Sequence, residues 1–167
     1  MFLNKKKIIL VISISALVFF FTYSDLKSQD IKISDGDTIK INGQKIRFGG
    51  IDAPESYFKG KKQTCKLAEK DIFCGEISKT KLIEKIGNNS VNCVLEKNRD
   101  KYKRFVGECF VNGESLSVYM VRNGYALDWP RYSKGKFLND QEFAKNNKLG
   151  IWAMKFEYPW LWRAKNR

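Results

Sequence analysis

The alternation of apolar and polar residues after position 30 predicts β-strands with two different faces. Apolar, mostly β-branched residues recur at every second position in three short runs, over residues 31–33, 38–41 and 44–48. The second and third runs are joined by Asn42-Gly43, a pair that favours a two-residue hairpin turn because both residues tolerate a positive φ. We therefore predict antiparallel strands with a hairpin in this part of the chain.

Further along the chain, the pattern predicts helices between and after two more strands. Residues 75–86 favour a helix with four apolar residues available for a buried side, namely Ile77, Leu82, Ile83 and Ile86. Strands are predicted over 91–95 and 105–111. Two later helices are predicted from a capping residue and a terminal glycine, over residues 115–124 and 139–150. Strands first, with helices interleaved late, predict an α+β, mainly β fold built on a small closed or nearly closed barrel.

The first 24 residues have the pattern of a membrane-targeting leader. Three lysines at positions 5–7 precede an uncharged apolar run over 8–23. The run is intermediate in length between a signal-peptide core and a full membrane span, so the sequence allows both cleavage and retention. We favour an uncleaved anchor, since no Ala-x-Ala site follows. The lysines stay on the cytoplasmic side, which predicts an extracytoplasmic domain over 25–167, either membrane-anchored through 8–23 or secreted or periplasmic.

Four cysteines follow the leader, at Cys65, Cys74, Cys93 and Cys109. An even number of cysteines in a translocated chain favours two disulfides over free thiols or zinc. Of the three possible pairings we prefer Cys65 with Cys74 and Cys93 with Cys109. The second pair flanks a predicted hairpin centred near Lys101, so its members are expected on opposing strands.

Composition narrows the possible chemistry. The chain has 31 Lys and Arg against 18 Asp and Glu, a formal charge of +13, and still +10 without the three leader lysines. Such a charge attracts polyanions, but nucleic acid, anionic lipid and acidic cell-wall polymer would all respond to it. Histidine is absent, which excludes His-based nuclease chemistry, Ser-His-Asp hydrolysis and His-containing zinc sites. An enzyme of this composition must use carboxylates, Arg, Lys or a hard metal ion.

Two acidic clusters lie near the predicted hairpin. Asp35-Gly-Asp37-Thr38 precedes its first strand, and Asp52-Ala-Pro-Glu55 follows its second. A turn at Asn42-Gly43 brings these clusters together, with Arg47 on the strand between them. Taken singly, each motif is equally compatible with an ordinary turn, a helix start or a surface ion pair. Together, converging carboxylates repel each other, and a hard cation such as calcium relieves that repulsion.

The spacing of these clusters closely resembles the signature of the staphylococcal nuclease family. That signature runs Asp-Gly-Asp-Thr, a strand bearing Arg, Asp-x-Pro-Glu, and Asp-Lys-Tyr-Gly-Arg. This chain has the same blocks in the same order, at 35–38, at Arg47, at 52–55 and at 100–104. The resemblance continues through residues 123–126, 131–133 and 150–152.

The resemblance implies a five-stranded OB-fold barrel with about three helices. It also implies calcium-dependent hydrolysis of DNA and RNA to 3′-phosphate products, and we expect a monomer. The alternative is a non-catalytic OB-fold module that only binds nucleic acid. The acids and arginines are retained together, which favours the enzyme. A surface protein that binds anionic polymer or lipid would leave the ordered blocks unexplained.

The resemblance assigns metal ligands to the acidic clusters. Asp37 and Asp52 would bind calcium through their carboxylates, and Asp35 would hold a metal-bound water. Ala53 would contribute its backbone carbonyl. The family usually has Thr at this position, but a main-chain ligand tolerates the change.

The resemblance likewise assigns catalytic and substrate-binding residues. Glu55 would be the general base that accepts a proton from the attacking water. Arg47 and Arg104 would bind the scissile phosphate, since a guanidinium donates two parallel hydrogen bonds. Further substrate contacts, to a neighbouring phosphate and in the groove, would come from Lys101, Tyr102 and Tyr132.

Besides Ala53, three features depart from the family pattern. Lys103 replaces the glycine of the fourth block, so its turn must accommodate a side chain beside Arg104. Pro130 replaces a second groove tyrosine, which predicts weaker base stacking. The segment Pro159-Trp-Leu-Trp-Arg163 lies beyond the family core, where packing against the barrel and an interfacial membrane contact are both open.

Overall fold

The computed structural model describes residues 29–167. The predicted leader over 1–24, with its apolar run, lies outside the described residues. Within 29–167, no helix has both the length and the apolar character that a membrane span requires.

The described chain forms ten strands and five α-helices. The strands are β1 (Ile31–Asp35), β2 (Thr38–Ile41), β3 (Gln44–Phe48), β4 (Ile51–Asp52), β5 (Cys65–Leu67), β6 (Lys70–Ile72), β7 (Val91–Leu95), β8 (Phe105–Val111), β9 (Glu114–Ser115) and β10 (Leu127–Asp128). The helices are α1 (Cys74–Ile86), α2 (Leu116–Arg122), α3 (Pro130–Ser133), α4 (Leu138–Asn146) and α5 (Pro159–Lys165), with a 3-10 turn over Gly150–Ala153.

The main sheet follows the path β1-β2-β3-β8-β7, with β9 paired to β8. The pair β3–β8 is parallel and the other neighbours are antiparallel. Gln29, which precedes β1, exchanges two hydrogen bonds of 3.0 and 2.8 Å with the backbone of Val91 in β7. These bonds join the two edges of the path, so the sheet curls into a nearly closed barrel. The predicted α+β, mainly β class is confirmed.

The predicted hairpin is confirmed at Asn42-Gly43. Ile41 pairs with Gln44, and both turn residues have positive φ, 48° for Asn42 and 85° for Gly43. Two positive φ values define the turn type whose twist matches that of the flanking strands. The turn sets the register that places Thr38 opposite Arg47.

The core lies between the inner face of the curled sheet and helices α1 and α2. Its largest members include Ile39, Phe48, Leu82, Leu116 and Met120. Helix α1 buries Leu82 and Ile86, but Ile83 is 47% exposed, so the prediction that it is buried was wrong. Adjacent helical residues point about 100° apart, and the buried side of this helix is too narrow for both Leu82 and Ile83.

The helix ends differ from the predicted ones. Ser115 caps α2 as predicted, since its hydroxyl accepts a hydrogen bond from the Val118 N–H at 3.2 Å. Helix α4 begins at Leu138 and ends at Asn146, short of the predicted end at residue 150. Lys148 takes a left-handed φ of 51°, and the next residue donates its N–H back to the Ala144 carbonyl at 2.9 Å. This arrangement ends a helix.

The number of helices exceeds the prediction. About three were expected, and the described residues contain five because α3 and α5 are additional. Each of these two has a proline in its first turn, where the fixed φ suits helix entry and the missing N–H has no helical partner.

Both predicted disulfides are confirmed. Cys93 and Cys109 are direct register partners on β7 and β8. Cys65 in β5 bonds Cys74, the first residue of α1, and thereby ties the small β5–β6 hairpin to the helix.

Candidate active site

Arg47 lies between two buried carboxylates. Its Nη1 is 2.7 Å from Asp37 Oδ1, and its Nη2 is 2.6 Å from Asp52 Oδ1. The same Nη2 also donates to the Ile51 carbonyl at 3.1 Å. The β2–β3 hairpin brings Arg47 beside Asp37, and β4 brings Asp52 to its other side. The predicted convergence of the acidic clusters around Arg47 is therefore confirmed.

The two carboxylates differ in electrostatic environment. Burial alone would raise the pKa of Asp37, but the Arg47 guanidinium, the Ala53 N–H at 3.0 Å and the Thr38 hydroxyl at 2.7 Å lower it below its usual value. Burial, together with the charge of Asp37, raises the pKa of Asp52 to about 6 in spite of its arginine partners. In this arrangement Asp37 is the more strongly ionised of the two acids.

Asp35 lies close to the other acids of the cluster. Its Oδ1 accepts hydrogen bonds from the Gly36 N–H at 3.0 Å and the Ser56 N–H at 3.1 Å. Burial raises its pKa to about 9, and the charges of Asp37 and Glu55 add to the effect. The carboxylates of the cluster therefore repel each other, and a bound cation would relieve this repulsion.

A second arginine, Arg163 of α5, contacts the acids from the opposite end of the chain. Its Nη2 is 2.8 Å from Asp52 Oδ2, and its Nη1 donates to Glu55 Oε1. Sequence reasoning missed this residue. A charged side chain directly after the aromatic Trp160-Leu-Trp162 run was the only available signal.

Gln63 holds the backbone of Glu55 and was also missed. It is fully buried, and its Oε1 accepts a hydrogen bond from the Glu55 N–H at 3.1 Å. Its own N–H donates to the Glu55 carbonyl at 2.9 Å, and its Nε2 donates to the Glu157 carbonyl at 2.7 Å. Two bonds of the buried side-chain amide and one of the Gln63 backbone N–H thus link the Glu55 segment to the C-terminal tail.

Arg104 is paired with Asp100 and not with the acids of the cluster. Its Nε and Nη2 bind Asp100 Oδ2 at 2.7 and 2.6 Å, within the turn that precedes β8. Lys103 occupies that turn with a φ of 62°, in the left-handed region where the family has glycine. Tyr102 is 63% exposed, with Lys101 Nζ 5.1 Å and Arg104 Cζ 5.3 Å from its ring centroid. The turn therefore presents an exposed basic and aromatic surface.

Trp129 lies against both arginines of the acid cluster. The Cζ atoms of Arg47 and Arg163 are 5.8 and 5.7 Å from its ring centroid. Tyr132 meets the same ring edge-on at 4.6 Å and is 59% exposed. Tyr132 is thus placed beside the cluster, where a groove residue was expected.

The donor set of the cluster fits a hard cation. Residues 29–167 contain no group of three or more His, Cys, Asp or Glu side chains arranged as ligands, and guanidinium groups pair with the carboxylates of the cluster. All the available donors are oxygen atoms, which suits calcium and not zinc. One position between Asp52 and Glu55 already accommodates a positive group, that of Arg163.

Comparison with known proteins agrees with this geometry. Residues 45–154, more than half of the chain, match the family model described as staphylococcal nuclease homologue. The succinoglycan biosynthesis protein ExoI of Rhizobium meliloti is 33% identical over 129 residues, covering 75% of this chain and 64% of that protein. The probable staphylococcal-like nuclease CAN2 of Oryza sativa is 30% identical over 139 residues, covering 82% of this chain and 33% of that protein.

A bacterial relative matches over more of its length. The micrococcal nuclease of Shigella flexneri is 26% identical over 177 residues, covering 96% of this chain and 90% of that protein. These matches confirm the resemblance that the four blocks carry. The chain belongs to the family of staphylococcal nuclease homologues.

Proposed function

We propose that this protein is a calcium-dependent phosphodiesterase that hydrolyses DNA and RNA to 3′-phosphate products outside the cytoplasm. The observation that carries the proposal is the meeting of three acids with two arginines. Asp37 and Asp52, both buried, pair with Arg47, and Arg163 joins Asp52 to Glu55. A protein that only binds nucleic acid has no need to group three acids, two of them buried, beside a guanidinium group suited to phosphate. The nuclease names of several relatives support the same reaction class.

Calcium would be held by oxygen atoms of the acid cluster. Asp37 and Asp52 would provide carboxylates, Ala53 its carbonyl, and Asp35 a contact to a metal-bound water. When bound, the ion neutralises charge on the phosphate and lowers the barrier to attack. Asp37 keeps its charge to lower pH than Asp52, since its pKa is lowered whereas that of Asp52 is raised to about 6.

The protein's own groups would then act on water and phosphate. Glu55 accepts the proton of the attacking water, and its backbone is fixed by Gln63. Arg47 turns from the carboxylates to the scissile phosphate, where its planar guanidinium donates two parallel hydrogen bonds. Arg104 does the same after releasing Asp100. Since these groups touch only phosphate, the sugar is not discriminated.

Substrate would lie across the exposed basic and aromatic surface near the cluster. Lys101 and Tyr102 are suited to a neighbouring phosphate, and the exposed ring of Tyr132 is suited to base stacking. The net positive charge of the domain adds attraction that weakens with salt.

The compartment is inferred from the leader and the cysteines. The lysines and the apolar run over 8–23 favour export, with the domain anchored to the membrane or released. Two disulfides are expected to persist in an oxidising compartment and not in a reducing cytoplasm. We infer a monomer that acts on extracellular or incoming nucleic acid.

The test is digestion of single-stranded DNA by the purified full chain, with calcium and with a chelator. Glu55→Gln and Arg104→Ala are each expected to lower cleavage by roughly two to three orders of magnitude or more, as removal of a transition-state contact does. Glu142→Gln and Arg122→Ala make the same chemical changes at surface ion pairs and should cleave normally. Tight binding without cleavage in any metal would contradict the enzyme and favour the binding module.

A further inference from the structure

The C-terminal tail, residues 157–166, lies beyond the part of the chain that matches the family model, yet it reaches the acid cluster. Arg163 donates from one guanidinium to two different acids, Asp52 and Glu55. Its side chain is only 16% exposed. An arginine that is mostly buried and bonds two acids of the cluster belongs to the site and not to the surface.

Aromatic packing holds the tail in place. The Trp160 ring stacks on Trp129 with centroids 5.9 Å apart and planes 2° from parallel. The Trp162 ring meets Phe58 edge-on at 6.2 Å. Since Trp129 also lies against Arg47, the tail packs on the same aromatic side chain that borders the cluster.

Polar contacts fix the tail to the segment that carries Glu55. Gln63 bonds the backbone of Glu55 on one side and the Glu157 carbonyl on the other. Lys61 adds a bond of 2.9 Å from its Nζ to Asn166 Oδ1. Arg163 therefore approaches Glu55 from an element whose position relative to Glu55 is fixed at the backbone.

We propose that Arg163, in the C-terminal tail, is a positioning residue that holds the Glu55 carboxylate in line for catalysis. This inference rests on the proposed function, since it assigns Arg163 to the residue that would act on water. A carboxylate at the end of a flexible side chain needs such a restraint, because a misplacement of about 1 Å can cost roughly 10²-fold in rate. Arg163 supplies that restraint, and Gln63 restrains the backbone of the same residue.

The alternative is that Arg163 inhibits the enzyme. Arg163 binds Asp52 Oδ2, and the proposed function assigns the Asp52 carboxylate to calcium. The same contact could therefore exclude the ion. The two roles predict opposite changes in activity when Arg163 is replaced. Removal of a positioning residue lowers kcat, whereas removal of a blocking residue raises activity or strengthens calcium binding.

The first test measures cleavage of single-stranded DNA by the full chain with Arg163→Gln and Arg163→Lys. We expect Arg163→Gln to lower kcat by about 10²-fold with KM changed only a few-fold, and Arg163→Lys to recover part of the loss. Lys165→Gln removes the same charge from the same helix, at an exposed pair with Glu157, and should cleave normally. Unchanged or increased kcat in Arg163→Gln would overturn the proposal.

A double variant separates positioning from a general structural effect. If Arg163 acts through Glu55, then Arg163→Gln added to Glu55→Gln should cause no further loss of kcat. Independent losses that multiply would show that Arg163 acts elsewhere and would overturn the proposal.

A measurement without calcium or substrate tests the contact independently of activity. The thermal unfolding midpoints of Glu55→Gln, Arg163→Gln and the double variant should be non-additive, since each single change leaves the other partner half-buried and unpaired. Additive shifts of the unfolding midpoint would show that Arg163 and Glu55 do not interact. If the parent chain failed to cleave while these shifts remained non-additive, the proposed function would fail and the Arg163–Glu55 contact would stand.

Discussion

Charge compensation dominates the candidate site at the level of single residues. Asp37, Asp52 and Glu55 are each paired with a guanidinium group of Arg47 or Arg163. Removal of one partner from a buried pair costs about 3–5 kcal/mol, because the other charge is left uncompensated. The arginines therefore stabilise a cluster that would otherwise repel itself. In the proposed reaction Arg47 exchanges its carboxylates for substrate phosphate, whereas Arg163 keeps its contact with Glu55.

Asp100 gives a pH-dependent prediction at this scale. Burial alone would raise its pKa, but the Arg104 guanidinium and the N–H groups of Arg104 and Tyr102 lower it. An acid with a lowered pKa in the folded state stabilises the fold above its unfolded pKa and loses that contribution as the pH falls. Asp100→Asn should thus be less stable than the parent at pH 7, and the difference should shrink as acid is added.

The measurement for Asp100 is the midpoint of unfolding in urea at several pH values, from pH 7 down to acidic pH. Asp71→Asn serves as a control, since Asp71 is an exposed acid in β6 whose carboxylate bonds no other group in the described chain. A gap between Asp100→Asn and the parent that stays constant with pH would show that the carboxylate is not held by Arg104.

At the level of elements, the segment between β4 and α1 connects the tail to the acid cluster. It carries Glu55 and Gln63 and ends in the disulfide between Cys65 and Cys74. The Cys74 sulfur also lies 3.7 Å from the Gln63 carbonyl. The other disulfide, between β7 and β8, lies on two strands that already pair along the whole of β7.

The two disulfides are therefore expected to differ in their effect on activity. Replacing Cys65 and Cys74 by Ala should lower both stability and cleavage, because the Gln63 segment loses its covalent restraint. Replacing Cys93 and Cys109 by Ala should lower stability, by an amount within the usual range of about 2–4 kcal/mol, with cleavage by the folded fraction retained. Thermal unfolding would measure stability, and cleavage assayed well below the unfolding temperature would measure activity. Equal losses of cleavage in both variants would contradict the predicted difference between the two disulfides.

At the scale of the whole molecule, the curled sheet gathers distant segments at one end of the barrel. The parallel pairing of β3 with β8 brings the turn over 100–104 to the same sheet as the β2–β3 hairpin. A second small sheet, β4 with β10, brings Trp129 beside Asp52. Asp52, Arg47 and Trp129 thus meet only after the chain has closed on itself.

Calcium binding should stabilise the whole molecule if the acid cluster holds the ion. A ligand that binds only the folded state at 100 times its Kd stabilises by about 2.7 kcal/mol, so calcium should raise the unfolding midpoint of the parent chain. Asp37→Asn should abolish this shift, whereas Asp140→Asn, a change at a surface ion pair, should keep it. The measurement is a thermal melt with calcium and with chelator, and an equal shift in Asp37→Asn would place the ion elsewhere.

Part of the fold was predictable because its signals are local. The Asn42-Gly43 turn, the strands Val91–Leu95 and Phe105–Val111, and the cap at Ser115 each depend on residues a few positions apart. The side of a helix that becomes buried depends on what packs against it. For that reason Ile83 was wrongly predicted as buried, whereas Leu82 and Ile86 were predicted correctly.

The sequence by itself determined the acids and Arg47 around the hairpin, because turn chemistry and strand register place these groups within a short stretch of chain. It left three possible pairings of the cysteines, and the structure settled the pairing. Only the tertiary structure decided that Arg163 contacts Glu55, 108 residues away, and that Gln63 contacts Glu157, 94 residues away. No periodic pattern links such positions. Their meeting depends on the aromatic packing of the tail against Trp129, and that packing exists only once the barrel has formed.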